Sequence, residues 1–195
     1  MKSAPIASSA QDNSWLKPYY FTRAGFSIIW VAAALTIGRA MPGIGAVLLV
    51  LYPAWDAAAN WVDARRAGGL RRNVTQALNV VVSGVATIAV AIALGSSLHA
   101  VMGVFGIWAA LAGLFQLATG VRRWKSHGAQ WAMILSGAQS CLAAAHFIQR
   151  AAGAETPGIA DVAPYAAFGA FYFLISAISL AISHARQRRA QAGVV

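Results

Sequence analysis

Six predominantly apolar stretches divide the chain: Tyr19–Gly38, Gly43–Val62, Val74–Ser96, His99–Val121, Ala129–Ile148 and Pro164–Ser183. Each is long enough to cross the hydrocarbon of a bilayer, which takes about 20 residues of helix. Inside them the apolar residues are continuous, as in Ala32-Ala33-Ala34-Leu35 and Ala46–Leu51. Strands of a membrane barrel would alternate polar and apolar with period two. The pattern predicts an all-α, polytopic membrane protein with six transmembrane helices. The first apolar run exceeds the h-region of a secretion signal and reads as an anchor.

Breakers fall between the stretches. Met41-Pro42-Gly43 turns the first hairpin, Gly95-Ser96-Ser97 the second, and Gly153 with Thr156-Pro157-Gly158 the third. The odd helices share a small-residue step, Ala24-Gly25, Ser83-Gly84 and Ser136-Gly137, followed at equal distance by Ala32, Ala91 and Ala144. The even helices close alike, in Ala64-Arg65-Arg66, Val121-Arg122-Arg123 and Ala185-Arg186. Three hairpin repeats in parallel orientation are the expected architecture. Residues 1–18 read as a flexible cytoplasmic tail, 19–184 as the transmembrane domain and 185–195 as a basic cytoplasmic tail. Small-residue pairs four apart, Ala109 with Gly113, Ser136 with Ser140 and Ala177 with Ala181, mark expected helix contacts, since close approach holds helices together in lipid. Homo-oligomerisation is compatible with such faces.

Composition agrees. Of 195 residues, 59% are hydrophobic and 10% charged, against about 25% charged in soluble domains, which excludes a water-soluble globule. The single cysteine, Cys141, leaves no intramolecular disulfide and reads as a small buried hydrophobe. The net charge of +10 is distributed rather than patched. With the N-terminus in the cytoplasm, that side holds Lys2, Lys17, Arg23, Arg65, Arg66, Arg71, Arg72, Arg122, Arg123, Lys125, Arg186, Arg188 and Arg189, leaving Arg39 and Arg150 outside. This asymmetry predicts cytoplasmic termini. Anionic lipid headgroups are the expected partner and nucleic acid is not.

The chemistry-bearing candidates lie within or beside the spans. Asp56, Asn60 and Asp63 are spaced i, i+4 and i+7 on the second helix, and Asn73, Gln76, Asn79 and Ser83 share a face of the third. Ionisable groups inside a bilayer cost about 2.5–3.5 kcal/mol on insertion scales, so Asp56 and Arg23 are expected to pair or to share the Asn60 and Asn79 amides. Two roles compete: a structural tie between helices, or a water-reached carboxyl that takes up protons or a cation. Pro53 frees the carbonyl of Leu49 beside this cluster. Six tryptophans, Trp30, Trp55, Trp61, Trp108, Trp124 and Trp131, are read as mostly an interface belt.

The stretch Leu51-Tyr52-Pro53-Ala54-Trp55-Asp56-Ala57-Ala58-Ala59-Asn60, then Asp63-Ala64-Arg65, Gly68-Gly69-Leu70, Asn73, Gln76 and Asn79, resembles the HdeD-like membrane proteins. That resemblance implies a six-helix bacterial inner-membrane protein with short repeats, and a link to acid resistance through the founding member. It brings no catalytic residues.

Enzyme signatures are missing: no Gly-rich phosphate loop, no GxSxG, no CxxC. His99, His127, His146 and His184 have no i+4 partner, so no metal site is expected, and no cofactor. His99 and His146 both fall at external ends of spans. Acid would charge them while neutralising Glu155 and Asp161 in the longest external loop, which makes these histidines candidate pH sensors. The expected function is non-catalytic, in envelope or acid stress. The alternative is a small proton- or cation-coupled transporter or channel using Asp56.

Overall fold

The computed structural model describes residues 15–66, 68–123 and 130–192. Among the described residues it contains six long helices and no strand. They are α1 (Leu16–Ala33, prolonged by a π-helical turn, Ala34–Gly38), α2 (Pro42–Arg66), α3 (Val74–Leu94), α4 (Leu98–Arg123), α5 (Gln130–Ala152) and α6 (Ala163–Ala192). A 3₁₀ turn at Ile159–Asp161 precedes α6. Among the described residues, five helical segments are long and apolar enough to cross a membrane: Leu16–Gly38, Pro42–Arg66, Val74–Leu94, Leu98–Ala118 and Ile159–Ser183.

α1, α2, α4 and α6 outlast their apolar stretches, whereas α3 stops at Leu94, and the reasons are local. α1 starts at Leu16, inside the expected N-terminal tail. α2 opens on Pro42, whose missing N–H costs nothing in a first turn. It runs to Arg66, with Arg65 and Arg66 in its last turn, where positive charge suits the helix dipole. The end is a Schellman closure: Gly69 N–H donates to Ala64 O at 2.7 Å and Gly68 takes a φ of 96°, a conformation other residues resist. α6 continues to Ala192 through Ala, Arg and Gln, all good helix formers. The segment read as a basic tail is therefore helical as far as Ala192.

The chain divides into two compact units. One holds the described parts of Met1–Ile29 and Ala167–Val195, the other Trp30–Ala166. In the larger unit, α4 and α5 pack most extensively, followed by α2 on α3 and α3 on α4. Glycine makes the α4–α5 contact close: a Cβ on Gly113 would lie 2.8 Å from Gly137 O and 2.9 Å from Cys141 Sγ. Ala109 and Ser140 are buried on the same two helices, so the small-residue faces expected on α4 and α5 are packing faces. At the first hairpin a Cβ on Gly45 would lie 2.7 Å from Gly38 O, which keeps both ends of that turn free of side chains.

The three repeated glycines are not equivalent. A Cβ on Gly25 or Gly84 meets nothing within 4 Å, whereas one on Gly137 would lie 2.9 Å from Gly113 O and from Leu117 N. A shared small-residue step has not produced a shared contact. Large apolar side chains such as Ile29, Ile92 and Leu142 stand mostly exposed. Such surfaces are unusual in water and ordinary against lipid tails.

Candidate functional site

The polar face of α2 meets that of α3, and α4 adds a donor. Asp56 is half-buried, while Asn60 and Ser83 are buried. Asn60 Nδ2 donates to Asp56 Oδ2 at 3.0 Å and to the Asp56 carbonyl at 2.8 Å. Ser83 Oγ donates to the same Oδ2 at 2.8 Å, and Trp108 Nε1 donates to Ser83 Oγ at 3.0 Å. The direction follows from the groups. An indole N–H only donates, so Ser83 must accept from it and spend its own hydrogen on the carboxyl. Oδ2 thus receives two donors, one from its own helix and one from α3.

Toward the loop end the cluster weakens. Gln76 Nε2 reaches Asp63 Oδ2 at 3.4 Å, and Asn73 Nδ2 turns back to Gly69 O at 2.9 Å. Asn79 is half-buried one turn before Ser83 and joins none of these bonds. The structure therefore brings Asp56, Asn60 and Ser83 into one network and Asp63 with Gln76 into a second.

Arg23 belongs to the smaller unit. There its guanidinium donates to Tyr19 OH at 3.2 Å and lies 4.1 Å from the ring centre of Phe173. An arginine over an aromatic face gains from the ring quadrupole, more so when desolvated. The expected contact with Asp56 would join the two units.

An aromatic core that the sequence reading missed adjoins Asp56. Tyr52, one turn before Asp56, lies 5.9 Å from Trp108 and 6.2 Å from Tyr165, and Trp108 lies 5.9 Å from Tyr165. Phe105 and Phe147 extend the edge-to-face packing, and Trp30 sits 4.8 Å from Tyr52. Trp30 and Trp108 are thus buried core residues, which corrects their assignment to an interface belt. Their N–H groups explain why: each has a partner inside, Leu48 O at 2.8 Å for Trp30 and Ser83 for Trp108. Trp108 lies midway along its apolar stretch, and that position was the available signal. Trp61 is exposed near the end of α2, where an interface residue belongs. The side chains of Trp124 and Trp131 lie outside the described residues.

The two candidate sensors are placed differently. His99 Nε2 lies 3.1 Å from Gly153 O, while His146 is exposed with its ring against Phe147. Arg150 gathers the loop, pairing with Glu155 at 3.1 Å and Asp161 at 3.0 Å. Asp161 Oδ2 also accepts Gly158 N–H at 2.7 Å. The hydrogen bond that Arg150 donates to Glu155 raises its guanidinium above its already high range, against partial burial and with help from Asp161. Among the described residues no group of three His, Cys, Asp or Glu side chains is placed to hold a metal ion. His127 lies outside the described residues, as does the side chain of His184.

A family model described as a short repeat of unknown function (DUF308) matches residues 78–148, just over a third of the chain. The matched segment covers most of α3, all of α4 and most of α5, including Ser83, Trp108 and the Gly113–Gly137 approach. No curated protein and no solved structure matches. The fold and site define a multi-pass, all-helical membrane protein that carries a segment similar to this repeat.

Proposed function

We propose that the protein is a non-catalytic, multi-pass component of the bacterial inner membrane with cytoplasmic termini, acting in the envelope or acid-stress response. Its polar cluster works as a structural tie between helices. The observation that carries this reading is the double donation to Asp56 Oδ2 by Ser83 and Asn60, with Ser83 itself held by Trp108. A carboxyl fastened from two helices and backed by a third is built for position. The stress role is supported by the similarity to a repeat whose family includes the HdeD-like proteins and by the resemblance of the Tyr52–Asn79 region to them. Anionic lipid is its partner, and neither cofactor nor nucleic acid enters.

The test is Asp56→Asn, with folding followed in detergent and proton-driven flux in proteoliposomes. A destabilised protein whose flux matches empty liposomes, as wild type does, supports the tie. A well-folded variant that loses a proton-dependent activity of the wild type would replace it with the transporter or channel reading.

A further inference from the structure

The last turn of α2 and the loop to α3 carry Arg65, Arg66, Arg71 and Arg72 within eight residues, all exposed. This is not a loose charge run. Gly69 N–H closes on Ala64 O at 2.7 Å, Arg72 N–H on Gly69 O and Asn73 N–H on Leu70 O at 3.2 Å each, and the Asn73 amide holds Gly69 O. The Arg65 guanidinium lies 4.7 Å from the ring centre of Trp61, which fixes its height beside an aromatic residue of the kind found at headgroup level. Asp63, the acid at this end, has its Oδ2 bonded to Gln76.

Directly after these arginines α3 presents a continuous apolar stripe. Val74, Leu78, Val81, Val85, Ile88 and Ile92 recur at steps of four and three and are all exposed. Eighteen residues of helix rise about 27 Å, close to the thickness of the hydrocarbon. A fixed cationic head and an exposed apolar track along one helix match one class of molecule. We propose that the α2–α3 loop and this stripe of α3 form a binding site for a single anionic phospholipid, its phosphate on the arginines and its acyl chains along Leu78, Val81 and Val85. The proposal rests on the reading that this loop is cytoplasmic, and it adds a stoichiometric site to general attraction by the leaflet.

The experiment uses the full chain in nanodiscs and detergent. Lipid retention is measured by native mass spectrometry with phosphatidylglycerol, with phosphatidylcholine, and with inorganic phosphate alone. Wild type is expected to keep one phosphatidylglycerol and neither of the others. Arg65→Gln/Arg71→Gln/Arg72→Gln should lose that lipid, with affinity falling about fivefold per arginine and roughly a hundredfold in all. Arg186→Gln/Arg189→Gln, which removes exposed charge from α6, should retain it. Equal loss in both variants, equal retention of phosphatidylcholine, or capture of free phosphate without lipid would overturn the site. Because these substitutions are on exposed residues, a melting curve separates lost lipid from lost fold. Labelling of Leu70→Cys, in a Cys141→Ala background, by an impermeant reagent from outside intact cells would overturn the cytoplasmic reading instead, whatever the lipid result.

Discussion

Ser83 Oγ lies 2.8 Å from Asp56 Oδ2 and 3.0 Å from Trp108 Nε1, so one hydroxyl joins α2, α3 and α4. Because indole only donates, the chain of bonds has one direction, from Trp108 through Ser83 to the carboxyl. Oδ2 accepts from both Ser83 and Asn60. Serine meets the requirement because it accepts and donates at once.

Ser83→Ala is therefore expected to destabilise the protein. It orphans a buried indole N–H and removes a donor from a carboxyl, a loss of about 1–3 kcal/mol; interhelical hydrogen bonds in membranes average about 0.6 kcal/mol. Thr87→Val is the comparison, since Thr87 Oγ1 bonds only to Ser83 O within its own helix. The melting temperature in detergent should fall further for Ser83→Ala. A double-mutant cycle with Trp108→Phe should show positive coupling, whereas additive effects would remove the relay.

Much of this was legible in the sequence, because lipid leaves few choices. Uninterrupted apolar stretches bounded by Pro and Gly marked all six helices, and i, i+4 and i+7 spacing put Asp56 and Asn60 on one face with Ser83 opposite. Other features were not legible. Sequence position does not show that Trp108 is the partner of Ser83, since that bond spans 25 positions and depends on how α4 is rotated. α1, α2, α4 and α6 run past their apolar stretches because helix propensity continues where hydropathy stops, as it does from Ala185 to Ala192. The glycine steps misled in detail, because Gly has many uses in a membrane helix and only packing distinguishes Gly137 from Gly84.

That distinction yields a second prediction. Gly113→Ala places a methyl 2.8 Å from Gly137 O, against backbone that cannot swing aside, and α4 must part from α5. Overpacking of this kind costs about 1–3 kcal/mol. Gly84→Ala meets nothing within 4 Å and should be neutral or stabilising by up to about 1 kcal/mol, the helix advantage of Ala over Gly. Thermal unfolding of the two variants measures the contrast. Equal losses would mean that the repeated glycines do share one role.

A third prediction concerns Trp30, whose indole donates to Leu48 O at 2.8 Å beside the carbonyl of Leu49, which Pro53 deprives of its helical donor. Trp30→Phe keeps most of the ring contact with Tyr52 and removes only the hydrogen bond, so a loss of about 1 kcal/mol is expected. Pro53→Ala supplies the missing N–H to Leu49 O and should shrink that loss if the two carbonyls form one weak point in α2. Comparing the single and double variants by chemical unfolding tests this. An unchanged Trp30→Phe effect would show that the weak points are independent.

The last prediction is about acid and the loop that Arg150 gathers. The Arg150 guanidinium is raised above its ordinary range. A raised cation contributes fully below its unfolded value and is lost only as pH climbs through the folded one, so Arg150 stays charged at every working pH. Any acid response of residues 153–161 must then come from the carboxylates that face it, Glu155 and Asp161, or from the histidines His99 and His146. His99 is the weaker candidate. A carbonyl only accepts, so Nε2 already carries hydrogen toward Gly153 O, and protonating the other ring nitrogen leaves that bond in place. Asp161 makes two contacts, the ion pair with Arg150 and the bond from Gly158 N–H. Asp161→Asn should lose the first and keep an oxygen for the second, while Asp161→Ala loses both. Amide hydrogen exchange over 153–161, corrected for intrinsic pH dependence, should rise in the order wild type, Asn, Ala. The Asn variant should respond to acid less than wild type does. An acid response that survives Asp161→Asn but vanishes with His99→Gln and His146→Gln would return the sensing role to the histidines.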